Sequence, residues 1–302
     1  MMQRHSSSMD SGKKEWAGTT FGNRWMHERL IASLRYMDVR LLYAFAYVFI
    51  VPVCLVLNPS CGIIYRYFRQ RFGYSPLRSF WKTYVNHCRF SEVVIDKFAM
   101  YAGKHFRVDV EGREVFDRLE TAEAGFMQLS SHIGSFEMAG YSLRTKKKRM
   151  NALVFGGEKA TVMAERSRLF ADGHIRMIPV KGDMSHLFEI NNALADNEIV
   201  SMPADRVFGS PKTVTVRFLG KDAQFPLGPF QTATMRSLDV VAINVMKTSA
   251  KGYTAFVTPL RYDKTAPRRE QIHQLAGSYV AELERMVKRY PTQWYNYFEF
   301  WN

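Results

Sequence analysis

The stretch GFMQLSSHIGSFEMAGYSL, residues 125–143, runs from an apolar strand pattern through a Ser-Ser-His turn and Gly134 into a helical pattern that opens near Ser135. A strand that turns into a helix is the unit of an α/β sheet, and in open sheets ligands gather where the strands end. His132 occupies such an end. Glu137 follows five residues later, about 140° away on a regular helix, so the two side chains meet only where His132 precedes the helix and the carboxylate reaches back. Gly134 makes that bend accessible. In that geometry the carboxylate fixes the imidazole tautomer while the other ring nitrogen takes a proton from a hydroxyl or amine.

On either side of this stretch, β-type runs alternate with helical ones. Strand patterns fall at 106–110, 151–155, 175–180, 198–202, 239–245 and 253–260, and helical patterns at 76–102, 158–171, 184–196 and 268–290. The helix at 76–102 begins with Pro76, spaces Phe80, Tyr84, Phe90, Val94 and Phe98 mostly three or four apart, and stops at Gly103. This alternation predicts an α/β sheet wrapped by helices. No repeat or linker divides the chain, and residues 1–20, which lack apolar periodicity, read as a mobile terminus.

With 302 residues, 47% of them apolar, the chain can bury a sizeable core. Its 23% charged and 14% aromatic content exclude a disordered protein, and a mean hydropathy of −0.23 excludes a polytopic membrane protein. A net charge of +14 implies acidic partners: nucleic acid, an anionic membrane surface or an acidic carrier protein. A nucleic-acid partner is not expected, because no zinc finger, helix-turn-helix or RNA-recognition signature accompanies the charge. Cys54, Cys61 and Cys88 form no Cys-x-x-Cys pair and read as reduced cytosolic thiols, with no metal site implied.

Residues 41–57, LLYAFAYVFIVPVCLVL, are uncharged and close to the roughly 20 residues that span a bilayer. Arg24, Arg29, Arg35 and Arg40 precede the run, and Arg66, Arg69, Arg71, Arg78 and Lys82 follow it. A simple span is basic mainly on its cytoplasmic side, so this symmetry predicts a hairpin-like or in-plane anchor with both ends cytoplasmic. Pro52 and the Asn58-Pro59 turn fit a broken segment. A buried core helix is the alternative.

The spacing His-x4-Asp/Glu occurs three times, at His5/Asp10, His87/Glu92 and His132/Glu137, where fewer than one match is expected by chance. Context separates them: the first lies in the terminus and the second inside a continuous helical pattern. For His132 a hydrogen-bonded turn histidine remains the plain alternative. Other candidates admit two readings as well. Asp205 and Arg206 close the strand-end stretch MPADR, where Arg206 either binds a phosphate with Asp205 orienting it or makes an ordinary ion pair with it. Gly156-Gly157 ahead of Glu158 and Lys159 permits a close substrate approach or a tight turn. PLGPF at 226–230 is a rigid turn before a helix, with Gly228 at its centre. Arg166, Arg168 and the basic run 144–149 either meet phosphates and an acidic carrier or form a solvated face. The closing aromatics Trp294, Tyr295, Tyr297, Phe298, Phe300 and Trp301 suit a membrane interface or a tail packed on the core.

The block SSHIGSFE resembles the HX4E motif of the lysophospholipid acyltransferase superfamily, in particular its lipid A biosynthesis (HtrB-like) branch. FGGEK at 155–159, the IPV strand at 178–180, MPADR at 202–206, FLG at 218–220, PLGPF at 226–230 and PTQWYNYFEFW at 291–301 follow in the expected order. The resemblance spans residues 20–301. It implies a membrane-anchor region at 21–75 and one acyltransferase domain at 76–302, built on a mixed central sheet flanked by helices. It further implies a lipid biosynthetic enzyme without a cofactor, at the cytoplasmic face of the inner membrane, taking an acyl chain from acyl carrier protein or acyl-CoA to a lipid acceptor. His132 is then the general base and Glu137 its support. Ser131 and the backbone after Gly134 face the oxyanion, and Glu158, Lys159, Arg166, Asp205, Arg206 and Gly228 contact substrates. Two departures, FGGEK in place of a Tyr-Arg-Pro-like segment and Phe298-Glu-Phe-Trp301 in place of a basic ending, point away from the lipid A precursor as acceptor. A non-catalytic lipid-binding or scaffold protein on the same fold is the competing reading.

Overall fold

The computed structural model describes residues 24–135, 137–143, 145–155, 174–180, 183–207 and 211–301. The expected helix at 158–171 and the mobile terminus lie outside these residues. The chain opens with helices α1 (Arg24–Tyr36), α2 (Val39–Phe45), α3 (Val51–Leu57), α4 (Cys61–Arg71) and α5 (Pro76–Tyr101). Then follow β1 (Arg107–Glu111), α6 (Arg113–Thr121), β2 (Phe126–Ser130), α7 (Glu137–Ser142), β3 (Met150–Phe155), β4 (Ile175–Val180), α8 (Ser185–Ala195) and β5 (Ile199–Pro203). A hairpin, β6 (Thr213–Phe218) and β7 (Lys221–Pro226), leads into α9 (Leu227–Met235), β8 (Asp239–Ser249), β9 (Gly252–Leu260) and α10 (Arg268–Arg289).

The main sheet has the order β1-β9-β8-β2-β5-β3-β4, parallel throughout except for the antiparallel β8–β9 pair. Strand alternation sorts its side chains into two cores. On β8, Val240, Ala242 and Met246 face one core, while Val241, Ile243 and Val245 face the other. The first core receives α10, the β6–β7 hairpin, the closing aromatics and, from α4, Ile64, Tyr67 and Phe68. The second receives α1, α2, α6, α7 and the end of α5. Trp294, Tyr295 and Phe300 are buried, so the closing segment packs on the core.

The run 41–57 forms most of a continuous helix, Val39–Leu57, long and apolar enough to cross a membrane. A π-helical stretch, Ala46–Ile50, widens it just before Pro52. Proline has no N–H to offer the preceding turn and its ring crowds that turn's carbonyl, so a wider turn lets the helix continue. One face is buried through Val39, Tyr43, Ala46 and Val51, whereas Leu41, Phe45, Val48, Phe49, Val53 and Val56 are exposed. The buried face is fastened by polar groups: Tyr43 and Tyr47 donate hydroxyl hydrogen bonds to Asp96 and Glu92 of α5. The helix is thus attached along one side and bare along the other.

Candidate active site

Parallel strands that are neighbours in a sheet release their chains at the same edge. β2 and β5 pair in register from Phe126↔Ile199 to Ser130↔Pro203, and Ala204 N–H extends the pairing by donating to Ser130 O at 3.0 Å. His132 and Asp205 therefore emerge side by side. The Asp205 carboxylate accepts two hydrogen bonds from the same residue, one from His132 Nδ1 at 2.8 Å and one from its backbone N–H at 2.7 Å. A carboxylate only accepts, so Nδ1 carries a hydrogen toward Asp205. The His132 side chain is 26% exposed, against 1% for Asp205. Burial acts to raise the Asp205 carboxyl, but the charge and hydrogen bonds of His132, with Arg206 nearby, outweigh it and hold it below the ordinary carboxylate value.

Fixed partners hold the loop that carries His132. Tyr279 donates to Ser130 O at 2.9 Å, Gly134 N–H to Gln293 O at 2.8 Å, Ser135 N–H to Val245 O at 2.7 Å and Tyr295 N–H to His132 O at 3.2 Å. Gln293 is itself clamped: its side-chain amide accepts from Lys247 N–H and donates to Lys247 O. Gly134 has φ +61°, and an added Cβ would lie 2.0 Å from Val245 O. Only glycine fits there. These partners fix where the His132 loop sits.

Several expectations are redistributed. The support expected from Glu137 at the Nδ1 edge of His132 comes from Asp205. Glu137, the first residue of α7, instead receives Lys97 Nζ at 3.0 Å and the Tyr101 hydroxyl at 3.3 Å, tying α7 to α5. The physical reason is that the β2–β5 adjacency delivers a carboxylate from 73 residues away, whereas the turn at Gly134 is committed to Gln293 and Val245. The Ser135 N–H, expected near the oxyanion, is spent on Val245 O, and the Gly134 N–H on Gln293 O. Ser131 Oγ donates to Asn244 Oδ1 at 2.8 Å and is buried. Asp205 orients His132 rather than Arg206.

Arg206 lies beside this pair, donating Nη2 to Tyr295 O at 2.8 Å with its guanidinium 5.4 Å from the Phe298 ring. Its Nε has no partner among the described residues, and burial lowers its pKa. Gly228 is exposed in the first turn of α9. Glu158, Lys159 and Arg166 lie outside the described residues. The basic run is split: Lys146 and Lys147 are exposed, whereas Lys148 is buried with its ammonium on Glu123 O and Asn197 O. Gln293 and Asn244, which hold the site together, carried no signal in the sequence beyond being polar residues in apolar surroundings.

No curated protein matches the chain. Among solved structures it is similar to the 1-acyl-sn-glycerophosphate (LPA) acyltransferase PlsC of Thermotoga maritima, at 14% identity and a TM-score of 0.38, over 90% of this chain and 100% of that one. The family model of the bacterial lipid A biosynthesis acyltransferases matches residues 98–301, a span that holds the strands, the closing aromatics and both His132 and Asp205. The chain belongs to the bacterial lipid A biosynthesis acyltransferase family.

Proposed function

We propose that this acyltransferase moves a fatty acyl chain from a thioester of acyl carrier protein or coenzyme A to a hydroxyl or amine of a lipid or glycolipid, with His132 as general base. The observation that carries the reading is a partly exposed imidazole at a strand end whose Nδ1 is held by a buried, ionised aspartate. His132 Nε2 takes the proton of the acceptor as its oxygen or nitrogen attacks the thioester carbonyl. The tetrahedral intermediate collapses, the carbon–sulfur bond breaks, and the departing thiolate recovers the proton from His132. Asp205 stays ionised throughout and stabilises the imidazolium. Arg206 is suited to a phosphate of donor or acceptor.

The enzyme works at the cytoplasmic face of the inner membrane, where the exposed face of Val39–Leu57 enters the lipid interface. Leu77, Phe80 and Trp81, exposed at the start of α5, add to that surface, and the flanking arginines meet anionic headgroups. The test is comparative lipid mass spectrometry of cells carrying the wild type or His132→Ala at matched abundance. A lipid that loses the mass of one acyl chain in the variant identifies reaction and acceptor together. Identical lipidomes would remove the catalytic reading in favour of a lipid-binding role.

A further inference from the structure

A cavity of about 200 Å³ opens at the first residue of the apolar helix, lined by Val39, Lys104, His105, Phe106 and Lys251. Val39 and Phe106 are buried and form its apolar part. Fixed pieces of backbone deliver the two lysines. Gly103, at φ +86°, turns the chain out of α5, and the turn closes through Gly103 N–H on Met100 O and Lys104 N–H on Ala99 O, both at 2.9 Å. Lys251 sits in the turn between β8 and β9, where its carbonyl accepts the Arg107 N–H at 3.0 Å and so ties the start of β1 to that turn. The Lys251 ammonium meets the Asp38 carboxylate at 2.8 Å, with side-chain exposures of 50% and 42%. An ion pair so exposed is weak, and a second anion can share the lysine.

The sheet topology puts this cavity on the same edge as His132. β8 runs parallel to β2 and, past the Gly134↔Val245 bridge, continues to Ser249. Lys251 follows it, at the edge where β2 releases its chain. β1 pairs in parallel with β9 and therefore starts at that edge too, with Lys104 and His105 just ahead of it. At the extended rise per residue, Lys251 stands up to about 20 Å further along than Val245. The cavity shares no residue with the His132 site and is separate from it.

We propose that this cavity binds the phosphate of an anionic membrane lipid, with Lys104 and Lys251 as its cations. The lipid source rests on the membrane reading proposed above; the basic cavity does not. Val39 is the first residue of the apolar helix, and the end of an apolar run lies at headgroup level whether the helix crosses the bilayer or lies along its surface. The volume is below the roughly 300–1,000 Å³ of pockets that enclose drug-sized ligands, so it takes a headgroup and leaves the acyl chains outside. Buried Val39 and Phe106 suit the carbons next to the phosphate. A headgroup held here adds a second attachment to the bare face of the apolar helix, which matters because one weak membrane signal holds a protein only reversibly. It also turns the edge that carries His132 toward the lipid.

The experiment is co-sedimentation of the full chain, diluted from detergent, with vesicles of phosphatidylcholine alone or mixed with phosphatidylglycerol. The wild type should prefer the mixed vesicles. Lys104→Gln combined with Lys251→Gln should weaken binding to them about tenfold or more. Arg40→Gln combined with Arg107→Gln removes the same charge from exposed neighbours outside the cavity, and should weaken it less than about threefold. Asp38→Asn keeps the oxygen that accepts the Arg40 N–H and frees Lys251, so it should tighten binding. Equal losses in the two double variants, or weaker binding by Asp38→Asn, overturn this proposal and leave the membrane reading standing. Release from the mixed vesicles by inorganic phosphate at matched ionic strength would give the cavity to a soluble phosphate and overturn the lipid assignment. A wild type that binds neither vesicle overturns the membrane reading and this proposal with it.

Discussion

Among the described residues, two aspartates are almost wholly buried beside a basic side chain, and they differ in how far that partner is exposed. Asp96 meets Lys247 at the junction of α2, α5, β8 and β9, with side-chain exposures of 0% and 1%. The Lys247 ammonium also donates to Ala250 O and to the hydroxyls of Tyr43 and Tyr253, and both tyrosines donate to Asp96. Here burial dominates and raises the Asp96 pKa in spite of those partners. Asp205 is as deeply buried, but a ring N–H and a fixed backbone N–H of one residue keep it low, and the His132 side chain is partly exposed. The first cluster is closed on every side and works as a staple between the apolar helix and the sheet. The second holds a ring that is 26% exposed at a strand end, the setting that the proposed general base requires.

That contrast predicts opposite phenotypes. His132→Ala should lower acyl transfer by about three orders of magnitude or more, while its urea midpoint stays within experimental scatter of the wild type; large destabilisation would make the pair a second staple. Lys247→Met leaves a buried carboxylate without its cation and should cost about 3–5 kcal/mol in urea unfolding, with the transfer rate per folded molecule kept within a few-fold. A rate that falls along with stability would show that the staple also tunes the site, through Gln293 and the His132 loop. Tyr43→Phe removes one hydroxyl from the cluster and should cost about 1 kcal/mol; a neutral outcome would mean that the apolar helix is held by its apolar face alone.

The sheet was largely readable because period-two runs such as 239–245 and 253–260 admit few other structures, and α5 announced itself through Pro76 and Gly103. β8 runs on to Ser249, beyond the expected 245, since Lys247 turns inward to Asp96 where a lysine ordinarily marks a strand's end. The β6–β7 hairpin went unread. Its turn, Leu219-Gly220, needs both residues at positive φ, and leucine seldom signals such a turn. In the site, His132 was legible from its strand-end position, and Asp205 was placed in the same crevice. The pairing of the two was not, because it depends on β5 lying next to β2, a choice made by the whole sheet. Five-residue spacing favoured Glu137 instead. The apolar run shows the same limit: its length suggests an anchor, but Tyr43 and Tyr47 show their role only once Asp96 and Glu92 stand opposite. Ile64, Tyr67 and Phe68 of α4 likewise pack into the first core, so a truncation at residue 75 would disturb it.

The measurement that bears most directly on the central claim is single-turnover acyl transfer by purified wild type, Asp205→Asn and Glu137→Gln, with acyl thioester as donor and extracted membrane lipid as acceptor. With Asp205 as the group that holds His132, Asp205→Asn should slow transfer by about 10²–10⁴-fold and Glu137→Gln by less than about tenfold. A Glu137→Gln defect as deep as that of His132→Ala, with Asp205→Asn near the parent rate, would contradict the account and return the supporting role to the carboxylate within the HX4E block.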